Sequence, residues 1–108
     1  MAILISDLDK IIFVEVKNLH STADRTPSGR DKNLSWKEWW EKHTGKKFKK
    51  CSCSTCNNDA DVGAHVKKTD LGDGKWYIVP LCYKCNAKKD PFKVLRIDLM
   101  AVNEGSAS

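Results

Sequence analysis

The sequence has no apolar run long enough to cross a lipid bilayer, and it contains no internal repeat or low-complexity segment. Its opening stretch, MAILISDLDK, includes acidic side chains and lacks the long apolar segment and small-residue cleavage site of a secretory signal. We therefore expect no membrane partner and a cytoplasmic location. In that reducing compartment, paired cysteines bind metal ions more often than they form disulfides.

The composition limits the size of the core and the kind of partner that the protein favours. A chain of 108 residues predicts one domain whose small core often needs a metal ion or cross-link for stability. Hydrophobic residues make up 41% of the chain, which excludes global disorder. The net charge of +5 is compatible with binding to nucleic acid or to an acidic surface, but it does not require either.

The first half of the chain predicts a strand, a loop and a helix, which together occupy residues 1–50. Alternating β-branched residues at 10–17 predict the strand, and the polar segment 18–33 predicts a long loop. Ser35 followed by Glu38 forms a capping-box pattern, so we predict that a helix begins directly after Ser35.

The predicted helix carries an aromatic stripe and ends before Gly45, a residue that suits the position after a helix. The members of the stripe share one helical face and are Trp36, Trp39, Trp40 and His43. Such a stripe is typical of core packing, which is the interpretation we favour. The alternative is an exposed surface that stacks on bases or contacts a partner.

The second half predicts a cysteine-bearing core at 51–92, followed by a last strand. The predicted elements are strands at 62–68 and 75–79, a turn at 70–74, a helix at 82–89, a strand at 93–102 and a loose tail at 103–108. Together with the first half, they predict an α+β fold. The matched alternation of 10–17 and 94–102 predicts that the outer strands pair with each other.

Two C-x-x-C pairs predict a single structural zinc ion. We expect its ligands to be Cys53, Cys56, Cys82 and Cys85, because zinc prefers four soft ligands in a tetrahedron. Two residues between cysteines allow both sulfurs to face one ion, and the intervening hairpin returns the second pair to the first. Cys51 is the alternative to Cys53, because a C-x₄-C spacing with Cys56 also occurs among zinc ligands.

These motifs also carry a resemblance to a known family. The segment 53–89 contains a C-x-x-C, then GAHV at 63–66, then IVPLCYKCN at 78–86. This order resembles the zinc-bearing HNH nuclease family over about a third of the chain. It is also similar to a group of small bacterial proteins with GAHV followed by YIVPLCxxCN. The resemblance implies a treble-clef zinc domain, to which the Trp-bearing helix and the terminal strands are added.

In that family a histidine at the position of His65 acts as general base, next to a divalent ion that stabilises the scissile phosphate. The ion's usual ligand position holds Ala64, and the position of the asparagine that orients the base holds Tyr77. Asn86 stands near the last ligand position. Acidic residues that could supply a missing oxygen ligand are Asp59, Asp61, Asp70 and Asp73.

We therefore expect a non-catalytic zinc module that binds DNA, RNA or a protein partner. The resemblance places the nucleic-acid contacts on lysines around the zinc hairpin and helix, namely Lys67, Lys68, Lys84, Lys88 and Lys89. The first alternative is an active nuclease with His65 as general base. The second is a structural or interaction protein, in which the lysines only increase solubility. His65 itself has two further interpretations, a structural hydrogen-bonding residue and a zinc ligand.

Overall fold

A computed structural model describes residues 12–19, 27, 29–69 and 75–102. These residues form an α+β structure with a five-stranded antiparallel sheet and two α-helices. The strands are β1 (Phe13–Asn18), β2 (Val62–Lys68), β3 (Trp76–Leu81), β4 (Phe92–Leu95) and β5 (Met100–Val102). The helices are α1 (Trp36–Thr44) and α2 (Tyr83–Asn86). The strand order is β4-β1-β2-β3-β5.

The sheet has an apolar cluster on each face. On one face, alternate residues of β1, β2, β3 and β4 pack with the five cysteines, of which four are buried. On the other face, β3 and β5 pack against α1 through Trp39, Trp40, Phe48, Trp76 and Ile78. Because neighbouring strand residues point to opposite faces, β3 contributes to both clusters. The sheet therefore separates the cysteine region from the tryptophan helix.

Helix α1 has the bounds that the sequence predicts. The Ser35 hydroxyl accepts a hydrogen bond from the Glu38 backbone N–H, and the Glu38 side chain accepts one from the Ser35 backbone N–H. Gly45 has a φ of 71°, the left-handed conformation that ends helices and favours glycine. Trp39 and Trp40 are buried, which confirms core packing for these two residues, while Trp36 is half-buried.

The contact between α1 and the sheet requires a glycine at the start of β2. A Cβ atom added to Gly63 would lie 2.9 Å from both the backbone carbonyl carbon and the Cβ of Trp36. Backbone atoms cannot move aside in the way that a flexible side chain can. Gly63 therefore sets how closely the first turn of α1 approaches β2.

The C-terminal segment differs from the single strand predicted at 93–102. A 3₁₀ turn at Arg96–Asp98 divides it into β4, which pairs with β1, and β5, which pairs with β3. The chain thus crosses from one edge of the sheet to the other. The Asp98 carboxylate accepts hydrogen bonds from Lys46 and Ser52, and the Asp98 carbonyl accepts one from Trp40 Nε1. These contacts hold the turn over α1.

The predicted pairing of the outer strands is confirmed for β1 and β4, which run antiparallel from the Phe13–Leu95 pair to the Val16–Phe92 pair. The predicted turn at 70–74, including Asp70 and Asp73, and the tail at 103–108 lie outside the described residues. No helix in the described ranges is long and apolar enough to cross a membrane.

Candidate metal centre and adjoining cleft

Four cysteine sulfurs meet beside the sheet. The Sγ atoms of Cys51, Cys56, Cys82 and Cys85 all lie within 4.8 Å of one another. Three of these residues are buried and Cys56 is half-buried. Within the described ranges, this is the one group of histidine, cysteine and acidic side chains close enough to share a metal ion. The cluster is therefore a candidate single metal site.

The spacing of the sulfurs fits a tetrahedral centre. Four sulfurs at about 2.3 Å from a zinc ion would be about 3.8 Å apart along the edges of a tetrahedron. The Sγ atoms of Cys56 and Cys82 are 3.7 Å apart. Four thiolates form a closed ligand set with no position for a substrate, which is the arrangement of structural rather than catalytic zinc. The residues present thus fit a structural zinc ion.

The first two ligands come from a loop that closes on itself between α1 and β2. The Cys51 backbone N–H donates to the Asn58 carbonyl at 2.9 Å, and the Cys56 backbone N–H donates to the Cys53 carbonyl at 3.1 Å. The Asn58 backbone N–H donates to the sulfur of Cys56 at 3.5 Å. These local hydrogen bonds turn both ligand sulfurs of the loop toward the same point.

The structure changes the predicted choice between Cys51 and Cys53. The C-x-x-C spacing favours Cys53, but the clustered sulfur is that of Cys51, the alternative. Cys53 is buried beside the cluster, where its sulfur lies 3.6 Å from the Lys88 ammonium and 3.5 Å from the Thr55 hydroxyl. Cys53 stays outside the cluster because of its backbone pairing. An isolated β-bridge joins Cys53 to Val94 of β4 and fixes the orientation of Cys53.

The cysteines influence one another's ionisation. Burial raises the pKa of the Cys51 and Cys85 thiols, and neighbouring thiols raise the pKa of Cys85 further. Burial also opposes ionisation of Cys82, but hydrogen bonds from the backbone N–H and thiol of Cys85 outweigh it and lower the Cys82 pKa to about 7. Four adjacent thiols cannot all ionise at neutral pH by themselves. A divalent cation supports four thiolates because its charge compensates theirs.

Burial by itself would raise the pKa of Cys53, but the groups around this thiol lower the pKa by more than burial raises it. Hydrogen bonds from Thr55 and the positive charge of Lys88 lower the Cys53 pKa below its usual range. The ammonium of Lys88, a predicted nucleic-acid contact, lies 3.6 Å from the Cys53 sulfur and 5.6 Å from the centre of the Phe92 ring.

Two side chains anchor α2 to the rest of the protein. The amide nitrogen of buried Asn18 donates to the carbonyls of Cys85 and Lys88, at 3.0 and 2.9 Å. The Asp61 carboxylate accepts a hydrogen bond from the Tyr83 backbone N–H at 3.0 Å. The role of Asn18 was not predicted, because residue 18 was assigned to the loop. The one available signal was that Asn18 continues the alternation of Ile12, Val14 and Val16 one residue past the predicted strand at 10–17.

A cleft of about 490 Å³ opens between the start of α1 and the start of β2. His65 lines it and is only 8% exposed. The centres of the Trp36 and Trp76 rings lie 5.1 and 5.0 Å from that of His65. Asp61 and Asn86 line the same cleft. The structure therefore brings together three polar side chains that are scattered in the sequence.

His65 lies away from the cysteines. Its neighbours on β2, Ala64 and Val66, pack in the cysteine-containing cluster, whereas the His65 ring contacts the tryptophans on the other side. His65 is not part of the sulfur cluster, so the interpretation as a zinc ligand is wrong. The buried ring contacts support a packing role.

The five predicted nucleic-acid lysines lie near the end of β2 and on or after α2. Lys84 and Lys89 are exposed on and after α2, and Lys67 is exposed near the end of β2. The ammonium of half-buried Lys68 lies 5.0 Å from the centre of the Tyr77 ring, and that of Lys88 is engaged at Cys53.

Comparisons with protein-family models, with curated proteins and with solved structures gave no match to this chain.

Proposed function

We propose that this protein is an HNH-like treble-clef module that binds one structural zinc ion and uses its zinc-anchored helix to bind nucleic acid without cleaving it. The cysteine geometry supports the zinc ion. The order of elements supports the treble clef, because a ligand-bearing loop is followed by the β2–β3 hairpin and then by a ligand-bearing helix. In this arrangement zinc stabilises a fold that is too small to be robust without it.

The observation that carries the nucleic-acid proposal is the surface of α2. Tyr83 is 68% exposed, Lys84 next to it in the sequence is exposed, and Lys89 is exposed shortly after the end of α2. An exposed aromatic ring together with cations combines a stacking surface for a base with charges for phosphates. Cys82 and Cys85 bracket Tyr83, so a zinc ion would hold this surface rigid.

The residues at two positions, Ala64 and Tyr77, argue against cleavage of nucleic acid. Ala64 is 3% exposed and packs in the cysteine-containing cluster, where a methyl group offers no ligand to a divalent ion. Tyr77 is also buried in that cluster and does not line the cleft that holds His65. Both roles that the resemblance assigns to these positions therefore lack a suitable side chain.

The test combines metal analysis with binding to a labelled single-stranded oligonucleotide over a range of salt concentrations. We expect one zinc ion per chain and binding that weakens steeply with salt. The double variant Lys84→Gln/Lys89→Gln should reduce the log–log salt slope by about 1.4, since each phosphate contact contributes about 0.7 for single strands. The matched control is Lys47→Gln/Lys49→Gln, which makes the same charge change at two exposed residues outside α2. Equal effects of both pairs would contradict the proposal.

An active nuclease is the second candidate, favoured by one specific observation. Asp61 lines the same cleft as His65 and Asn86, so an acidic oxygen is present there although Ala64 provides none. Incubation of supercoiled plasmid with Mg²⁺, Mn²⁺ or EDTA separates the two functions. Nicking that requires the ion and is lost in His65→Ala would establish the nuclease. A mobility shift without nicking supports the proposed module, and neither effect would favour a protein partner.

A further inference from the structure

The face of β2 that carries His65 leads from the cleft to a pair of lysines. Gly63, His65 and Lys67 are alternate residues and point to the same face of the sheet, about 6.6 Å apart from one to the next. Gly63 and His65 line the cleft, whereas Lys67 is exposed beyond it. The cleft and Lys67 therefore form neighbouring parts of one surface.

Lys67 faces a second lysine across the strand pair. The register of β1 and β2 places Lys17 directly opposite Lys67. Both are exposed, and neither forms an ion pair with a carboxylate in the described part of the chain. Like charges directly opposite each other destabilise an antiparallel pair. The nearby Glu15 forms no ion pair with either lysine; its carboxylate accepts the Thr69 hydroxyl and its strand partner is Lys93. A bound anion would relieve it.

The cleft itself has the chemistry of a site for a flat, polar heterocycle. Trp36 lines it, and its ring orientation is fixed by near-perpendicular contacts with Trp39, His65 and Trp76 at interplanar angles of 77–85°. The volume of about 490 Å³ lies within the usual range of small-molecule sites. Aromatic side chains stack on bases of any sequence, and amide or carboxylate groups hydrogen-bond to base edges.

The carboxylate of the cleft lies at the opposite end of β2 from Lys67. Asp61 stands just before β2 and lines the cleft, as does Asn86 of α2. One Asp61 oxygen accepts the Tyr83 N–H, which orients the carboxylate and leaves further lone pairs for a ligand. A negative carboxylate at this end disfavours a phosphate there, and the lysine pair at the other end favours one. The cleft thus has a defined direction.

We propose that the cleft binds a nucleoside phosphate, with the base against Trp36, the base edge toward Asp61 and Asn86, and the phosphate at Lys17 and Lys67. The ligand has two sources, a free nucleotide and one unit of a single-stranded nucleic acid. Binding of the second source rests on the proposed function. The cleft begins where Asp61 contacts α2, so a single-stranded nucleic acid that crosses α2 would continue into the cleft.

The experiment follows the indole N–H of Trp36 and the amides of Gly63 and His65 by NMR in the zinc-loaded full chain. The probes are a nucleoside 5′-monophosphate, the same nucleoside without phosphate, ribose 5-phosphate and a short oligonucleotide with or without one abasic position. We expect all three signals to shift with the nucleotide, and the nucleoside and the sugar phosphate to bind more weakly. Stacking of one base should contribute about fivefold or more to affinity.

The variant Lys17→Gln/Lys67→Gln removes the phosphate contacts without altering the cleft. It should reduce nucleotide affinity to that of the nucleoside, while Lys47→Gln/Lys49→Gln should leave it unchanged. Equal affinity of both variants for the nucleotide would overturn the inference, as would shifts confined to residues outside the cleft.

The two proposals fail in different ways. If the intact and abasic oligonucleotides bind equally and Trp36 does not shift, the cleft inference is wrong, while binding that depends on Lys84 and Lys89 still supports the proposed function. If the nucleotide binds and no oligonucleotide does, the cleft is a free-nucleotide site and the proposed nucleic-acid function is wrong. If no probe binds, both are wrong.

Discussion

The strongest test of the metal centre compares two cysteines that are two residues apart. Cys51→Ser removes a sulfur from the cluster, whereas Cys53→Ser makes the same chemical change beside it. We expect Cys51→Ser to lose most of its zinc affinity and its folding stability. We expect Cys53→Ser to bind zinc as the wild type does, because its sulfur contacts Lys88 and Thr55 rather than completing the cluster.

The expected loss of zinc affinity in Cys51→Ser follows from the number of ligands. Structural zinc sites have apparent binding free energies of about 10–16 kcal/mol at neutral pH. Four thiolates that share this about equally account for about 2.5–4 kcal/mol each, which is on the order of 10²–10³-fold in zinc affinity. Because zinc binding and folding are linked, the loss should also appear as a lower unfolding temperature at a fixed zinc concentration.

Three measurements check this prediction. Competition with a chromophoric chelator gives the zinc affinity, thermal unfolding gives the stability, and the absorption of the Co²⁺-substituted protein reports how many thiolates bind the metal. We expect four thiolates in the wild type and in Cys53→Ser, and fewer in Cys51→Ser. The reasoning is refuted if Cys53→Ser loses zinc while Cys51→Ser retains it, or if neither change affects zinc affinity.

Three further predictions concern the elements that position the cleft, and each is measured by urea unfolding. Gly63→Ala should destabilise the protein by about 1–3 kcal/mol, because the added Cβ would lie 2.9 Å from backbone and Cβ atoms of Trp36. Ser35→Ala should cost about 1 kcal/mol, because it removes the hydroxyl that caps α1. Hydrogen bonds from two basic side chains of α1 lower the pKa of Asp31 below its ordinary value of 3.8. The ionised Asp31 carboxylate should therefore stabilise the wild type relative to Asp31→Asn above about pH 4. This difference in the free energy of unfolding should disappear as the pH falls through the folded-state pKa of Asp31.

Each of these predictions has a contradicting result. A fully stable Gly63→Ala would mean that α1 moves away from β2 without loss of packing. An unchanged Ser35→Ala would mean that solvent replaces the capping hydroxyl equally well. A stability difference between wild type and Asp31→Asn that stays constant down to strongly acidic pH would show that the Asp31 carboxylate contributes through packing rather than through its charge.

Local sequence patterns predicted the helices and strands whose boundaries are set by residues close to them in the sequence. The helix Trp36–Thr44 was predicted with its observed bounds, because its cap, aromatic stripe and terminal glycine are all local signals. The strand at 62–68 was predicted equally well by its alternation. The C-terminal strand was predicted as one element, because alternation does not reveal a 3₁₀ turn whose stabilising contacts come from Lys46 and Ser52, far away in the sequence.

Two closely spaced cysteine pairs around a hairpin were enough to predict that four of the five cysteines gather at one candidate metal site, because this pattern leaves few other arrangements. The choice between Cys51 and Cys53 required the fold, since it depends on the pairing of Cys53 with β4. The tertiary structure likewise decided that Lys17 stands opposite Lys67, and that Asp61 and Asn86 share a cleft with His65. Spacing along the chain fixes which side chains can meet, but only strand register and helix packing select the pairs that do.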